Sequence, residues 1–518
     1  MGRVSRRHVL EGGLAAPFVL SRGPLAQNDR RPRLRIAVAD LPPTLEPARE
    51  LSNVGTRVVY SIYDTLLRRD FLGATDGGGS SLKPHLATGW ERRNSRELVV
   101  TLREDVRFHN GDTLTAEDVT FTFRQGRMWG DAPLFPEARA FFGVLEAVEP
   151  LGPYQVLFRT RQPDVLLEHR LASWASQIIN RRAYEELGQT RFALSPVGTG
   201  PYKVRRFRLG ERLELDAFDA YWMGRPSARE VVFQSVPEVA TRAAGLASGE
   251  FDLVTNVPPD QIGEFERMRH AEPRSVVLAN SHLITFDERG PAMADKRVRQ
   301  ALSLAIDRRL LVDTLWLGRA VVPPGHNYLE YGDMFLSGRA LRHDPEAARR
   351  LLKEAGYSGE RIVYRTLPNY YTNALRVAQI VIEMWKAVGI NAALQVVENF
   401  SQMQAAGQQV GNTSNSTRFP DPLGALWPSW GPDSGPQRRG EWTTTRAFNE
   451  AGRALEIETD LARRRTLFGQ MLDAWEEECP ATIIYQPLES YGVRKNVSWR
   501  PYIFYFMDLR PDNLSFAG

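Results

Sequence analysis

Cysteine is almost absent from the chain. Cys479 is the only thiol in 518 residues, so no intrachain disulfide forms and a zinc site built from several thiolates is excluded. It follows three acids, Glu476, Glu477 and Glu478, which push a thiol pKa up rather than down, so we read it as structural rather than nucleophilic. Lysine is nearly as scarce, with six against sixty arginines. The basic residues are interspersed with 62 acids and leave a net charge of only +4, without the stripe or tail of a nucleic-acid binder. No later stretch is as long and apolar as the roughly 20 residues a membrane helix needs. Catalytic signatures are missing too. There is no Gly-x-Ser-x-Gly elbow, no phosphate-binding Walker loop and no His-Glu-x-x-His, and the eight histidines are scattered. Gly198-Thr199-Gly200 runs straight into Pro201, which does not open a dinucleotide site. Metal and cofactor are therefore both expected to be absent, and the chain reads as a non-enzyme.

What remains is an ordinary globular composition, 42% hydrophobic and 25% charged, long enough for several domains. The first 26 residues have the parts of an export signal: Arg6-Arg7 with Val9-Leu10, a short mildly apolar stretch, and Ala26 before the cut. The paired arginines resemble a twin-arginine signal. With no Cys near the cleavage region, the expectation is a free periplasmic protein without a lipid anchor. Leu34, Ile36 and Val38 mark an opening strand, and Leu98, Val100 and Leu102 another. Asn110-Gly111 marks a tight turn, and Thr115 to Asp118 has capping-box form. Asp295 and Asp344-Pro345 open helices. Gly356 and Gly389 stop two, and Ile390 to Val396 then alternates as a strand. Helix, glycine and strand in close succession predict an α/β layer.

Several segments, in order, resemble the family 5 extracellular solute-binding proteins of ABC importers, the peptide/nickel group. They are Asn53 to Tyr60 with Tyr63 to Leu67, Pro84 to Trp90, Val106 to Asp112 with Leu114 to Val119, and Pro196 to Tyr202 with Tyr221-Trp222. Ser248 to Asp252, Arg297 to Leu302 with Ala305 to Arg308, Asp344 to Ala348 and Phe419 to Pro422 complete the set. The resemblance implies a two-lobed α/β periplasmic-binding-protein fold of type II, with an extra subdomain in lobe one. Lobe one would comprise 34–66, 191–277 and 488–518, the subdomain 67–190, and lobe two 278–487. It also implies a monomer that takes a small ligand or peptide in the cleft and hands it to permease subunits in the inner membrane. A sensor or chaperone-like protein on the same fold, and a hydrolase of unfamiliar type, stay open as alternatives.

The resemblance further implies a ligand site, and here the chain departs from its relatives. Peptide binders place an Asp before the later Asp-Pro, where it pairs with the ligand's amino group. Counting back from Asp421-Pro422, that place falls on Arg418. The Arg that dipeptide binders carry before the helix at 374–388 is missing as well, the nearest being Arg365. An ammonium would be repelled by Arg418, whereas a carboxylate or phosphate would gain a charge-assisted contact. The expected ligand is therefore peptide-like or, on the strength of Arg418, anionic or polyhydroxylated. Asn53, Gly55 and Thr56 are expected at the cleft, with Tyr370, Tyr371, Asn415, Phe419, Asp421, Trp427 and Trp430 around Arg418.

Overall fold

The computed structural model describes residues 29–368, 370–403 and 409–517; the expected export signal lies outside them. Three sheets organise the chain. The first has seven strands in the order Ala271–Val277, Leu488–Arg494, Leu253–Val254, Arg33–Val38, Glu230–Ser235, Arg212–Ala217 and Tyr202–Arg208. The opening strand sits at its centre, parallel to neighbours on both sides. Leu34, Ile36, Ala37 and Val38 are all fully buried, so both faces of this strand are covered, as expected for parallel pairing. The second sheet has five strands in the order Ala392–Val396, Ile362–Thr366, Val410–Ser416, Asn280–Phe286 and Ala481–Tyr485. A third, antiparallel sheet of four strands lies between Ala87 and Thr160.

Two short crossings link the first two sheets. Ala271–Val277 leads through Leu278 and Ala279 into Asn280–Phe286, and Ala481–Tyr485 leads through Gln486 and Pro487 into Leu488–Arg494. The crossings are bonded to each other: Leu278 N–H donates to the Pro487 carbonyl (2.9 Å) and Gln486 Nε2 to the Leu278 carbonyl (3.2 Å). This paired strap joins the two halves of a two-lobed body.

Helix ends follow the side-chain chemistry. Asp118 closes the capping box with Thr115, and the Asp295 and Asp344 carboxylates accept from Arg297 N and Ala347 N. Gly356 and Gly389 take φ of 70° and 94°, which residues with a Cβ rarely adopt. The Gly198-Thr199-Gly200 motif has a packing role: a Cβ on either glycine would collide with the backbone at Ile62, and Thr199 Oγ1 donates to Asp64. Asp64 also receives Trp222 Nε1 (3.0 Å) and Arg510 Nη2 (2.6 Å), which ties the C-terminal segment into the first lobe.

The apolar cores do not respect the expected boundary between subdomain and lobe two. One cluster runs from Leu98, Val100, Phe123, Phe158 and Leu171 to Leu283, Phe419, Trp430, Trp442 and Phe468. The four-stranded region and the second lobe are therefore packed together. The lone thiol lies in a different cluster, at the C-cap of helix Leu461–Glu478. Burial, more than the neighbouring acids, raises its pKa to about 12.

Candidate ligand-binding site

Strand Val410–Ser416 pairs with Asn280–Phe286 along its whole length, so alternate side chains are sent to opposite faces. Ser414 faces a ring group: it is 3.0 Å from Tyr370 Oη, and its cross-strand partner His282 stacks on Tyr371 at 3.5 Å. Thr413 and Asn415 share the other face with Leu283. Together with Thr285, Arg418, Ser429, Trp430, Arg439 and Glu441 they line a cavity of about 260 Å³.

The chain leaves this strand through a braced turn. Thr417 N–H donates to the Ala279 carbonyl (2.8 Å), and Arg418 N–H to the Gly424 carbonyl (3.1 Å). Asp421 caps the short turn Pro422–Gly424 through Leu423 N (2.9 Å) and takes Arg464 Nη2 at 2.8 Å, so its carboxylate is committed inside the lobe. A Cβ at Gly424 would strike the Phe419 carbonyl oxygen, so the turn needs glycine there.

Arg418 is thereby fixed against the four-stranded region. Its guanidinium carbon lies 4.8 Å from the Phe141 ring and 5.1 Å from the Trp174 ring, and Ser173 Oγ donates to its carbonyl (3.2 Å). Among the described residues its Nε and Nη1 are buried with no hydrogen-bond partner, and the indole N–H of Trp174 is also unpartnered. Other arginines nearby are paired: Arg170 with Asp164 (2.9 Å), Arg464 with Asp421 and Arg439 with Glu441 (2.6 Å). Burial pulls the Arg418 pKa down to about 10, which leaves it charged at neutral pH. Two cation–π contacts offset about 0.5–2 kcal/mol each, less than the several kcal/mol of desolvation that an unpaired buried charge carries.

The other expected residues are distributed unevenly. Asn415 and Trp430 line the same cavity as Arg418. Tyr370 and Tyr371 are on the opposite face of the strand. Phe419 packs on Arg170 of the 67–190 segment (5.6 Å to the ring), and the half-buried Trp427 lies against Phe448 (6.0 Å). Asn53, Gly55 and Thr56 begin helix Asn53–Val59 and are not among the residues lining the cavity. Gly55 N–H is taken by the Ser52 cap, and the Thr56 hydroxyl faces the Asn53 carbonyl. Arg365 bonds Gln395 across the sheet. The sequence reading missed Phe141, Ser173, Trp174, Thr285 and Ser429. Strand alternation applied to residues 280–286 would have found Thr285; the other four lie in three places, Ser173 and Trp174 side by side, with no local signal. A second depression of about 610 Å³ on the first lobe is edged by Arg274 and Arg500, which are already bonded to Glu272 and to the Leu72 carbonyl.

Among the described residues no group of three or more His, Cys, Asp or Glu is placed to hold a metal, and no helix is long and apolar enough to cross a membrane. The family model for bacterial extracellular solute-binding proteins, family 5 (middle region), matches residues 81–437. The chain belongs to that family. Among family 5 relatives, it is 28% identical over 326 residues to the oligopeptide-binding protein AppA of Bacillus subtilis, covering 58% of each chain, less than two thirds of that protein's length. Among solved structures it superimposes on a dipeptide-binding protein from Pseudoalteromonas sp. SM9913 in complex with Met-Leu. The TM-score is 0.82 at 20% identity, over 94% of this chain and 100% of that one. It also superimposes on AgaA from A. tumefacien R10 in complex with agropinic acid, with a TM-score of 0.79 at 20% identity, over 94% and 99% of the two chains. These likenesses give the two-lobed binding-protein fold.

Proposed function

We propose that this chain is an exported periplasmic receptor that captures a small anionic or polyhydroxylated solute between its lobes and delivers it to the permease of an ABC importer. The observation that carries the reading is Arg418, a buried cation at the junction of the second lobe and the four-stranded region, with two of its nitrogens unpartnered among the described residues. Solved structures of this architecture hold Met-Leu in one case and agropinic acid in another, so the ligand must be read from the chain's own side chains. Where a peptide receptor needs a carboxylate for the ligand's ammonium, this one has a guanidinium. A ligand carboxylate meeting this guanidinium would neutralise the charge.

The same division supports a mechanical role. Lobe one would be 34–66, 191–277 and 488–518, with subdomain 67–190 closing on lobe two (278–487) about the strap at 278–279 and 486–487. A ligand that bridges Arg418 and the facing aromatics binds the closed form better than the open one and so shifts the population toward it. The closed form is the one a permease would read. The protein would be free in the periplasm, monomeric and without a lipid anchor.

Arg418→Ala should weaken binding of the physiological ligand by about 2–5 kcal/mol in calorimetry. Mass spectrometry of what co-purifies should find one acidic compound. Unchanged affinity in the variant, or a mixture of peptides released from the wild type, would defeat the reading.

A further inference from the structure

The cavity that Arg418 opens into has walls with a definite hydrogen-bonding sense. Thr285 Oγ1 donates its proton to the Gly411 carbonyl (3.1 Å), and Ser429 Oγ donates to Asn415 Oδ1 (2.7 Å). Both hydroxyl protons are spent inward, so towards the cavity these oxygens offer lone pairs only. Asn415 Nδ2 is spent likewise on the Ala425 carbonyl (3.2 Å). Glu441, at the far end, is an acceptor braced by Arg439. Against these acceptors stand Arg418 and Arg439, which line the same cavity. The volume, about 260 Å³, falls just below the roughly 300–1,000 Å³ of pockets that hold drug-sized molecules. It suits one compact molecule and not an extended peptide.

We infer that the ligand is a compact polyhydroxy acid, its carboxylate on Arg418 and its hydroxyl-bearing body laid against Thr285 and Ser429. A hydroxyl donates, so it answers the lone pairs of Ser429 and Thr285. An alkyl body has no proton to offer them, and a zwitterionic dipeptide brings an ammonium that Arg418 repels. This inference rests on Arg418 as the ligand's anchor, and adds what the rest of the ligand must carry.

The test is calorimetry on the ligand-free protein with four probes: gluconate, hexanoate, sorbitol and the dipeptide Ala-Ala. Gluconate should bind, with hexanoate and sorbitol each weaker by about tenfold or more and Ala-Ala no tighter than hexanoate. Ser429→Ala should lower gluconate affinity several-fold and leave hexanoate unchanged. The melting temperature of the free variant reports whether it is folded, and Thr285→Val serves as the second variant if it is not. Hexanoate equal to gluconate overturns the hydroxyl body while sparing the anchor. Sorbitol equal to gluconate overturns the anchor, and Ala-Ala binding tightest overturns both. No binding of gluconate at millimolar concentration overturns the inference, because gluconate meets each of its requirements.

Discussion

Arg418 is positioned by its backbone: the N–H to Gly424, the carbonyl to Ser173, and the strand that ends one residue before Thr417. Its side chain then sits between two rings with nothing to neutralise it. Such a group is a cost to the free protein and a gain only to the complex, so its removal should act with opposite sign on the two. Arg418→Met keeps the stem length and the apolar contacts to Phe141 and Trp174 while deleting the charge. It should raise the unfolding free energy of the ligand-free protein by about 1–3 kcal/mol, read by urea denaturation after ligand removal, and should abolish binding. A free-protein stability lowered by as much would mean that the guanidinium has a stabilising partner in the fold and is not held for a ligand. The reversal of sign at this position was legible from its distance to Asp421-Pro422. The aromatics that enclose it were not, because Phe141 and Trp174 lie far upstream on elements whose sequence gives no hint of what they face.

The turn that carries Arg418 away from strand Val410–Ser416 depends on glycine for room rather than for φ. At Gly424 a methyl group would meet the carbonyl oxygen of Phe419 and the edge of its ring, and the same residue's carbonyl anchors the Arg418 N–H. Gly424→Ala should therefore cost about 1–3 kcal/mol of stability as the turn is forced open, and should weaken ligand binding with it. Gly89→Ala, in a strand where a Cβ has nothing near it, is the control and should leave binding unchanged. Urea unfolding and calorimetry on the two variants separate the cases; equal behaviour would remove the turn from the site. Elements of this kind divide by how local their causes are. Thr115, Asp295, Asp344, Gly356 and Gly389 act on backbone within three residues, and their helix ends are readable from the sequence. The opening strand is readable as a strand, yet its place at the centre of a sheet, buried on both faces, depends on residues 230–235 and 253–254. The faces of Val410–Ser416 depend on pairing with Asn280–Phe286, and without that pairing Tyr370 and Tyr371 looked like neighbours of Arg418.

At the scale of the whole molecule, the ordered motifs gave the two-lobed fold, whereas the apolar cluster shared by the four-stranded region and the second lobe could only come from packing. That packing has also enclosed histidines whose burial outweighs any charged neighbour, such as Asp64 beside His85 (3.5 Å). His85, His282 and His326 are all buried, and each has its pKa pushed down to about 3, burial being the leading cause in every case. In the unfolded chain the same groups titrate near 6.5. Their folded pKa values are depressed, so the stability they contribute is fully present above pH ~6.5 and is lost as pH falls toward 3. Through that window these three side chains alone hold three more protons in the unfolded state than in the folded one, a slope on the order of 4 kcal/mol per pH unit. Two units of acidification then remove on the order of 8 kcal/mol, comparable with the whole stability of a typical domain. The protein should melt at steadily lower temperature from pH 6.5 downward and unfold before its surface carboxylates are protonated. His282 isolates the effect, because burial alone shifts it and its ring lies flat on Tyr371. His282→Phe keeps the stacking and deletes the titration, so proton uptake on unfolding at pH 5, measured from the pH dependence of the melting temperature, should fall by one. An unchanged uptake would mean that His282 is already protonated in the folded protein, and that its side of the sheet is open to water.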